Sequence, residues 1–379
     1  MGFFDSPQGA AIFKHALLRS YTRVFVQKTG SRRDAASVGV VDGYAGRGWY
    51  EDGSEGSPAV LVDTLADLLN AESRTQLWFV EKNNGNFEAL RQATGGRGRV
   101  ANGTLHECLP QILVEADAIP LFVFVDPFGV GLPFDQMVEL LHRPRGRGTT
   151  RSHVTEVLVT FVYASVYRNA GKLTIHSSNN VQVRNAAATV DRLNDNLGGD
   201  WWHAHQRASR PDIVDAIRDG YLERLLTAAP PGWKVFRFPV SDFPRHRPQY
   251  DLVLFTQHDD GIWHFNNAIA RARGPFVDHV IDKQGSVQLS LLETPVAITD
   301  AIRTNLHRLL SDGRPHALNA CTAKVFEGVV GHAGQSEATS VLRRMEQAGE
   351  IAPLRGSKPD RWVLKAIQAV DGPPHSVAS

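Results

Sequence analysis

Three acids in this chain each follow directly on a short apolar run: Asp42 after Val38–Val41, Glu81 after Leu77–Val80, and Asp126 after Leu121–Val125. An acid delivered from the end of a buried strand is well placed to meet a ligand. Asp42 opens the turn D-G-Y-A-G-R-G, in which Gly43, Gly46 and Gly48 permit positive φ angles and close backbone approach. The glycines fall as G-x-x-G-x-G after the acid, not as the G-x-G-x-x-G of dinucleotide-binding dehydrogenases. An acid ahead of an A-G-x-G turn is the arrangement that S-adenosylmethionine sites use, with the carboxylate on the ammonium of the amino-acid moiety and the backbone passing close beneath. Asp42, Gly43, Tyr44, Ala45, Gly46 and Gly48 are therefore read as cofactor-binding. Glu81 is placed to accept from ribose hydroxyls, with Lys82 beside it, and Gly103 and Thr104, after the strand at Arg99–Ala101, face the adenine.

Asp126 begins D-P-F-G, where Pro127 stiffens the turn and Phe128 offers an aromatic face. An exocyclic amine needs an acceptor to aim its lone pair, and a planar base needs a ring to stack on. Asp126, Pro127 and Phe128 are thus the expected reaction centre. Lys14-His15, on a helix ahead of the first strand, is either a solvated pair or a cation and an imidazole at the pocket rim; the second reading makes Lys14 catalytic and His15 substrate-binding. Ser57 is expected to cap a helix entered through Pro58 and, at the end of a loop long enough to line a site, is also read as cofactor-binding. The run R-P-R-G-R-G-T-T-R carries Arg143, Arg145 and Arg147, which are either solvated or hold phosphates beside the reaction centre.

The elements that would position these groups alternate as strand and helix. Strands are expected at Val38–Val41, Leu77–Val80, Arg99–Ala101, Leu121–Val125, Val157–Val162 and Tyr250–Thr256, the last closing the sheet, and Asp260-Gly261 then turns the chain into a helix. The pattern predicts an α/β Rossmann-like domain over residues 1–290, of the class I methyltransferase type, with a helical insertion at about 170–230. Residues 295–366 read as a winged-helix domain: helices over Ala301–Leu310, Leu318–Val329 and Gln335–Gln347, then a β-hairpin. Arg343 and Arg344 point outward from the third helix, for either duplex reading or protein docking. Residues 367–379 read as a disordered tail.

The 379 residues suffice for a large and a small domain, and a net charge of +1 gives no global nucleic-acid signal. Two distant cysteines suggest neither a metal site nor a disulfide. With no long apolar run and no secretory-type N-terminus, the expected location is the cytoplasm.

Lys14-His15, the D-x-x-A-G-x-G turn, Gly56-Ser57-Pro58, Phe79-Val80-Glu81-Lys82 and Asp126-Pro127-Phe128-Gly129 together resemble the three-Cys-motif partner protein family (TcmP), from about Phe4 to Arg273 and on into the winged-helix region. That resemblance implies a methyltransferase-like fold and a radical-SAM-like three-cysteine-motif protein as a partner. The same ordered set is similar, more distantly, to the large-subunit rRNA adenine exocyclic-amine methyltransferases. By that likeness Asp42, Gly46 and Glu81 hold the cofactor and Asp126 orients the amine, although Phe128 stands where those enzymes have a second proline. The resulting expectation is an S-adenosylmethionine-dependent methyltransferase acting on RNA or DNA. The alternative is a non-catalytic, cofactor-binding partner of the three-cysteine-motif protein.

Overall fold

The computed structural model describes residues 9–30, 37–68, 75–117, 119–127, 131–143, 154–174, 180–206, 209–241, 247–284, 294–355 and 358–366. Two compact units emerge, Met1–Gly261 with Arg271–Val287, and Ile262–Ala270 with Gln288–Ser379.

In the first unit the elements run α1 (Gly9–Gly30), β1 (Val38–Asp42), α2 (Ser57–Thr64), β2 (Thr75–Glu81), α3 (Asn84–Thr94), β3 (Arg99–Asn102), α4 (Leu105–Glu115), β4 (Leu121–Val125) and α5 (Phe134–His142). They continue as β5 (Thr155–Val162), α6 (Tyr163–Ala170), α7 (Asn180–Leu197), α8 (Arg210–Ala228), β6 (Lys234–Val240), β7 (Tyr250–Thr256) and α9 (Asp259–Gln284), of which residues 262–270 belong to the second unit. The strands form one sheet in the order β3-β2-β1-β4-β5-β7-β6, parallel through β5, with β7 antiparallel to both neighbours. This is a Rossmann-like α/β architecture. The unbroken apolar runs of β1 and β4 are buried at every position, as central parallel strands covered on both faces must be.

One face is covered by α1, where Tyr21 and Phe25 each bring their rings to 5.7 Å from that of Phe122. On the other, Val41, Val123 and Val159 pack with Leu109 of α4, Leu140 of α5, Leu193 of α7 and Ile217 of α8. Each such side chain contributes roughly 2 kcal/mol of gross burial energy. Chain order reverses between β1 and β4, so their carboxyl ends open onto the switch point at which doubly wound sheets bind ligands. The long β5-to-β6 connection is helical, through α6, α7 and α8, over the stretch expected as an insertion.

Two expectations change here. The sheet is not closed by Tyr250–Thr256: β7 lies inside, and Lys234–Val240 forms the edge beyond it. Asp260-Gly261 is no turn but part of α9, where a Cβ on Gly261 would lie 2.5 Å from Glu156 Oε1. Glycine there makes room for a buried acid.

The second unit contains α10 (Pro295–Leu310), β8 (His316–Ala317), α11 (Thr322–Val325), α12 (Gln335–Gln347) and β9 (Val363–Leu364). Its core joins Trp263, Ile302, Leu306, Phe326, Leu342, Met345 and Trp362. Thr294 caps α10 by accepting from the Ala297 amide at 3.2 Å. The helix expected over Leu318–Val329 is instead a 3-10 turn at Asn319–Cys321, the single turn α11 and further turns. Asn305 fixes that irregular backbone, donating to Val325 O at 3.1 Å and Glu327 O at 2.9 Å. β9 pairs with β8, which the sequence reading did not include, while Ile351 bridges Ala366. The expected tail lies outside the described residues, and among those no helix is long and apolar enough to cross a membrane.

Candidate functional site

β1 ends on Asp42, whose side chain is fully buried. The turn after it is tied to both flanking strands: Gly43 N donates to Phe124 O at 3.0 Å, and Ala45 N to Val80 O at 3.0 Å. Gly46 (φ 65°) and Gly48 (φ 89°) adopt left-handed backbone, as the spacing predicts. Gly43 does not; its need is spatial, because a Cβ there would meet Leu105 Cδ2 at 2.3 Å. Asp42 Oδ1 accepts from the Tyr44 amide at 3.2 Å, whereas Oδ2 is buried with no hydrogen-bond partner. Burial pushes the Asp42 carboxyl up to about 6, against the Ser57 hydroxyl and the Tyr44 amide, which favour its charge. The residue capping α2 is Gly56, which corrects the capping role expected of Ser57.

Asp126, just past β4, pairs through Oδ2 with Lys14 Nζ, and the two side chains are 20% and 14% exposed. The Lys14 ammonium also lies 5.9 Å from the centre of the Tyr250 ring. Lys14 is thus an internal partner of Asp126, not a solvated surface cation. His15 is partly buried, its ring 6.1 Å from that of Tyr50. Burial, then the Lys14 charge, pushes the imidazole down to about 3, so it is neutral at pH 7. Burial, followed by the Asp126 charge, raises the Tyr44 and Tyr50 phenols to about 12. The switch point therefore gathers Lys14, His15, Asp42, Tyr44, Tyr50 and Asp126. Tyr50 and Tyr250 were missed as site residues; Tyr50 stands only two places beyond the last turn glycine, where a reading confined to charged groups and glycines passes over it.

At the end of β2, Glu81 Oε1 accepts from the Asn83 amide at 2.7 Å, and its main-chain carbonyl accepts from Gly103 N at 3.1 Å. Gly103 has φ 155°, and Lys82 is exposed. Thr104 is engaged otherwise: it caps α4, its hydroxyl donating to Glu107 Oε2 at 2.8 Å while Glu107 Oε2 also accepts from the Thr104 amide at 2.8 Å. Its side chain serves the helix.

Arg143 departs from its expected place. Its guanidinium donates to Ala116 O, to Ile119 O at 2.8 Å and to Thr155 Oγ1 at 3.2 Å, and burial pushes it down to about 10. Those acceptors precede β4 and begin β5, whereas Asp126 follows β4, about 20 Å further along at ~3.3 Å per residue. Arg143 holds the opposite end of the strands, where β4 and β5 begin. Phe128, Arg145 and Arg147 lie outside the described residues; Pro127 is buried behind Asp126. Arg343 and Arg344 are exposed on α12 of the second unit. Among the described residues no three His, Cys, Asp or Glu side chains are placed to hold a metal ion.

No family model and no curated protein matches this chain. Solved structures do resemble it. A Legionella pneumophila protein, LPL1258, of family-model DUF519, is 12% identical over 66% of this chain and 85% of its own, with a TM-score of 0.34. Trm1 from Pyrococcus horikoshii, solved with S-adenosyl-L-methionine, is 13% identical over 64% and 55% (TM-score 0.31). The plantazolicin methyltransferase BamL, solved with a triazolic desmethylPZN analog and SAH, is 11% identical over 64% and 88% (TM-score 0.28).

Proposed function

We propose that this chain is an S-adenosylmethionine-dependent methyltransferase whose acceptor is the amine of a nucleic-acid base. The observation that carries this is the pairing, at one switch point, of a fully buried carboxylate with an orphaned oxygen and a second strand-end carboxylate held by a lysine. The orphaned Oδ2 of Asp42 suits a cationic group such as an ammonium, since a buried acceptor left unpaired costs about 1–3 kcal/mol. Glu81, at the neighbouring strand end, keeps Oε2 for hydroxyl donors, and the left-handed Gly46 and Gly48 keep the turn backbone bare of side chains. The cofactor, when bound, supplies an electrophilic methyl group. Asp126 accepts an N–H of the incoming amine and aims its lone pair, Lys14 fixes the Asp126 carboxylate, and Tyr50 and Tyr44 close the site against water. Positioning, more than a strong base, is what such a transfer requires.

One observation favours a second reading, a cofactor-binding regulatory protein that docks on a three-cysteine-motif partner. Asp126 Oδ2 is already occupied by Lys14, which leaves a single oxygen for an acceptor. Calorimetry with S-adenosylmethionine, on wild type, Asp42→Ala and Glu81→Ala, tests the shared part: wild-type binding lost in both variants is expected, and no wild-type binding ends both readings. Labelled methyl appearing in nucleic acid selects the first; binding without transfer selects the second.

A further inference from the structure

From Thr294 to Ala366 the chain carries ten Lys and Arg against seven Asp and Glu, a modest excess that the structure sharpens by where it puts the acids. Glu337 accepts from Gly334 N at 2.8 Å and Glu346 from Leu354 N at 2.8 Å, so both acids of α12 are spent on backbone amides. Glu350 is shared by Arg303 and His307, Glu327 pairs with Arg308, and Asp312 with His316 at 2.9 Å. Asp360, in the loop before β9, is 5% exposed and lies 3.8 Å from His264. Arg343, Arg344, Arg355, Lys358 and Lys365 are all exposed, and none has an ion pair among the described residues.

The outward stripe of α12 has a definite composition. Ser336, Ser340, Arg343 and Gln347 recur at steps of four, three and four, with Arg344 beside them, and all five are exposed. Every one is a hydrogen-bond donor to base edges or phosphates, and none is acidic or bulky and apolar. The exposed large apolar residues of this unit are Val296 and Val363, neither on α12. A helix that docks in a protein groove presents apolar anchors at such positions; this one presents arginine, serine and glutamine. After it, Ala352 N donates to Lys365 O at 3.0 Å, and Arg355, Lys358 and Lys365 are exposed in this paired segment.

We infer that the exposed face of α12 and the hairpin behind it form a reading surface for double-stranded DNA. B-form DNA admits an α-helix to its major groove, whereas the deep, narrow major groove of A-form RNA does not. Gln347 and the two serines supply groups that pair with base edges, and Arg343 and Arg344 join Arg355, Lys358 and Lys365 in neutralising phosphates. This surface deepens the nucleic-acid part of the function proposed above, but it stands on the second unit alone.

Fluorescence anisotropy of the full chain with a short labelled duplex DNA tests it, with salt raised from about 50 to about 200 mM. Five phosphate-competent cations at about −0.9 each predict a log–log salt slope of about −4 to −5. The double variant Arg343→Ala, Arg344→Ala is expected to bind at least tenfold more weakly, with a slope shallower by about 2, at an unchanged melting temperature because both residues are exposed. Unchanged affinity and slope in that variant overturn the inference, as does competition by single-stranded DNA or RNA duplex equal to that of duplex DNA. Duplex binding without methyl transfer sinks the methyltransferase reading and leaves this one standing. Methyl transfer that persists in a double variant with unaltered DNA binding does the reverse.

Discussion

Lys14, in the second turn of α1, pairs with Asp126, 112 residues further on, so the first helix of the chain reaches across the sheet to the carboxyl end of its central strand. α1 is fastened there by further contacts: Arg19 pairs with Glu55 and Asp63, and Tyr250 donates its hydroxyl to Ala10 O. An α1 shifted by one turn would leave two charges part-buried and unpartnered.

Lys14→Met and Asp126→Asn are expected to reduce methyl transfer roughly 100-fold or more while S-adenosylmethionine binding, read by calorimetry, changes less than threefold. Equal loss of binding and turnover would place the pair with the cofactor and not with the acceptor.

Asp42→Asn should separate binding from stability. Removing the charge that meets an ammonium is expected to weaken cofactor binding at least tenfold, by about 1.5–3 kcal/mol. It should also raise the thermal midpoint of the free protein, because an ionised Asp42 is buried with one oxygen unpaired. A midpoint that falls would show that the carboxylate is structurally satisfied.

Glu156 lies fully inside the fold, accepting from Tyr21 Oη at 2.6 Å and Thr256 Oγ1 at 2.7 Å, and burial pushes it up to about 7 from 4.5. Its folded pKa exceeds its unfolded one, so the native state binds the extra proton between those values. Stability on this account is highest below pH 4.5, falls as pH rises through the window to about 7, and is flat above it. Asp42 acts with the same sign between 3.8 and about 6. Chemical denaturation at pH 5 and pH 8 should show wild type weaker at pH 8 by about 1–3 kcal/mol, and Glu156→Gln should lose most of the decline above pH 6.

Arg143→Ala is expected to cost about 2 kcal/mol of unfolding free energy, since it orphans Ala116 O and Ile119 O at the base of the sheet. Nucleic-acid affinity should not change. A salt-dependent loss of binding without loss of stability would restore the phosphate-holding role.

Thr104→Ala removes one half of the α4 capping box and should lower stability by about 1 kcal/mol, leaving cofactor affinity within twofold. A tenfold loss of affinity would return Thr104 to the adenine.

The central strands and the glycine turn were legible because their signals are local: a β-branched run cut by an acid, and glycines where backbone must turn left-handed. What escaped was set by contacts distant in sequence. Lys234–Val240 has the alternation of a strand, but Pro239 and interspersed charges hide it, and those are tolerated because the strand lies at a sheet edge. Ser57 carries a capping residue's chemistry, yet the cap position of α2 falls one residue earlier, on Gly56. Arg143 reads as one member of an arginine run until three acceptors from other segments enclose it. Gly43 looks like a cofactor glycine, though the space beside its Cα belongs to Leu105.

The order of strands at the far edge bears on how the chain assembles during synthesis. Among the described residues β6 pairs with β7 and with no other strand, and of these two only β7 pairs with β5. Lys234–Val240 emerges first yet has no partner in the sheet until Tyr250–Thr256 has followed it from the ribosome. Their antiparallel pairing lets the two close as a local hairpin before β7 docks on β5. A substitution that slows hairpin closure, such as a stiffened connection between Val240 and Tyr250, should retard the final folding phase and leave the earlier association of β1 to β5 unaltered.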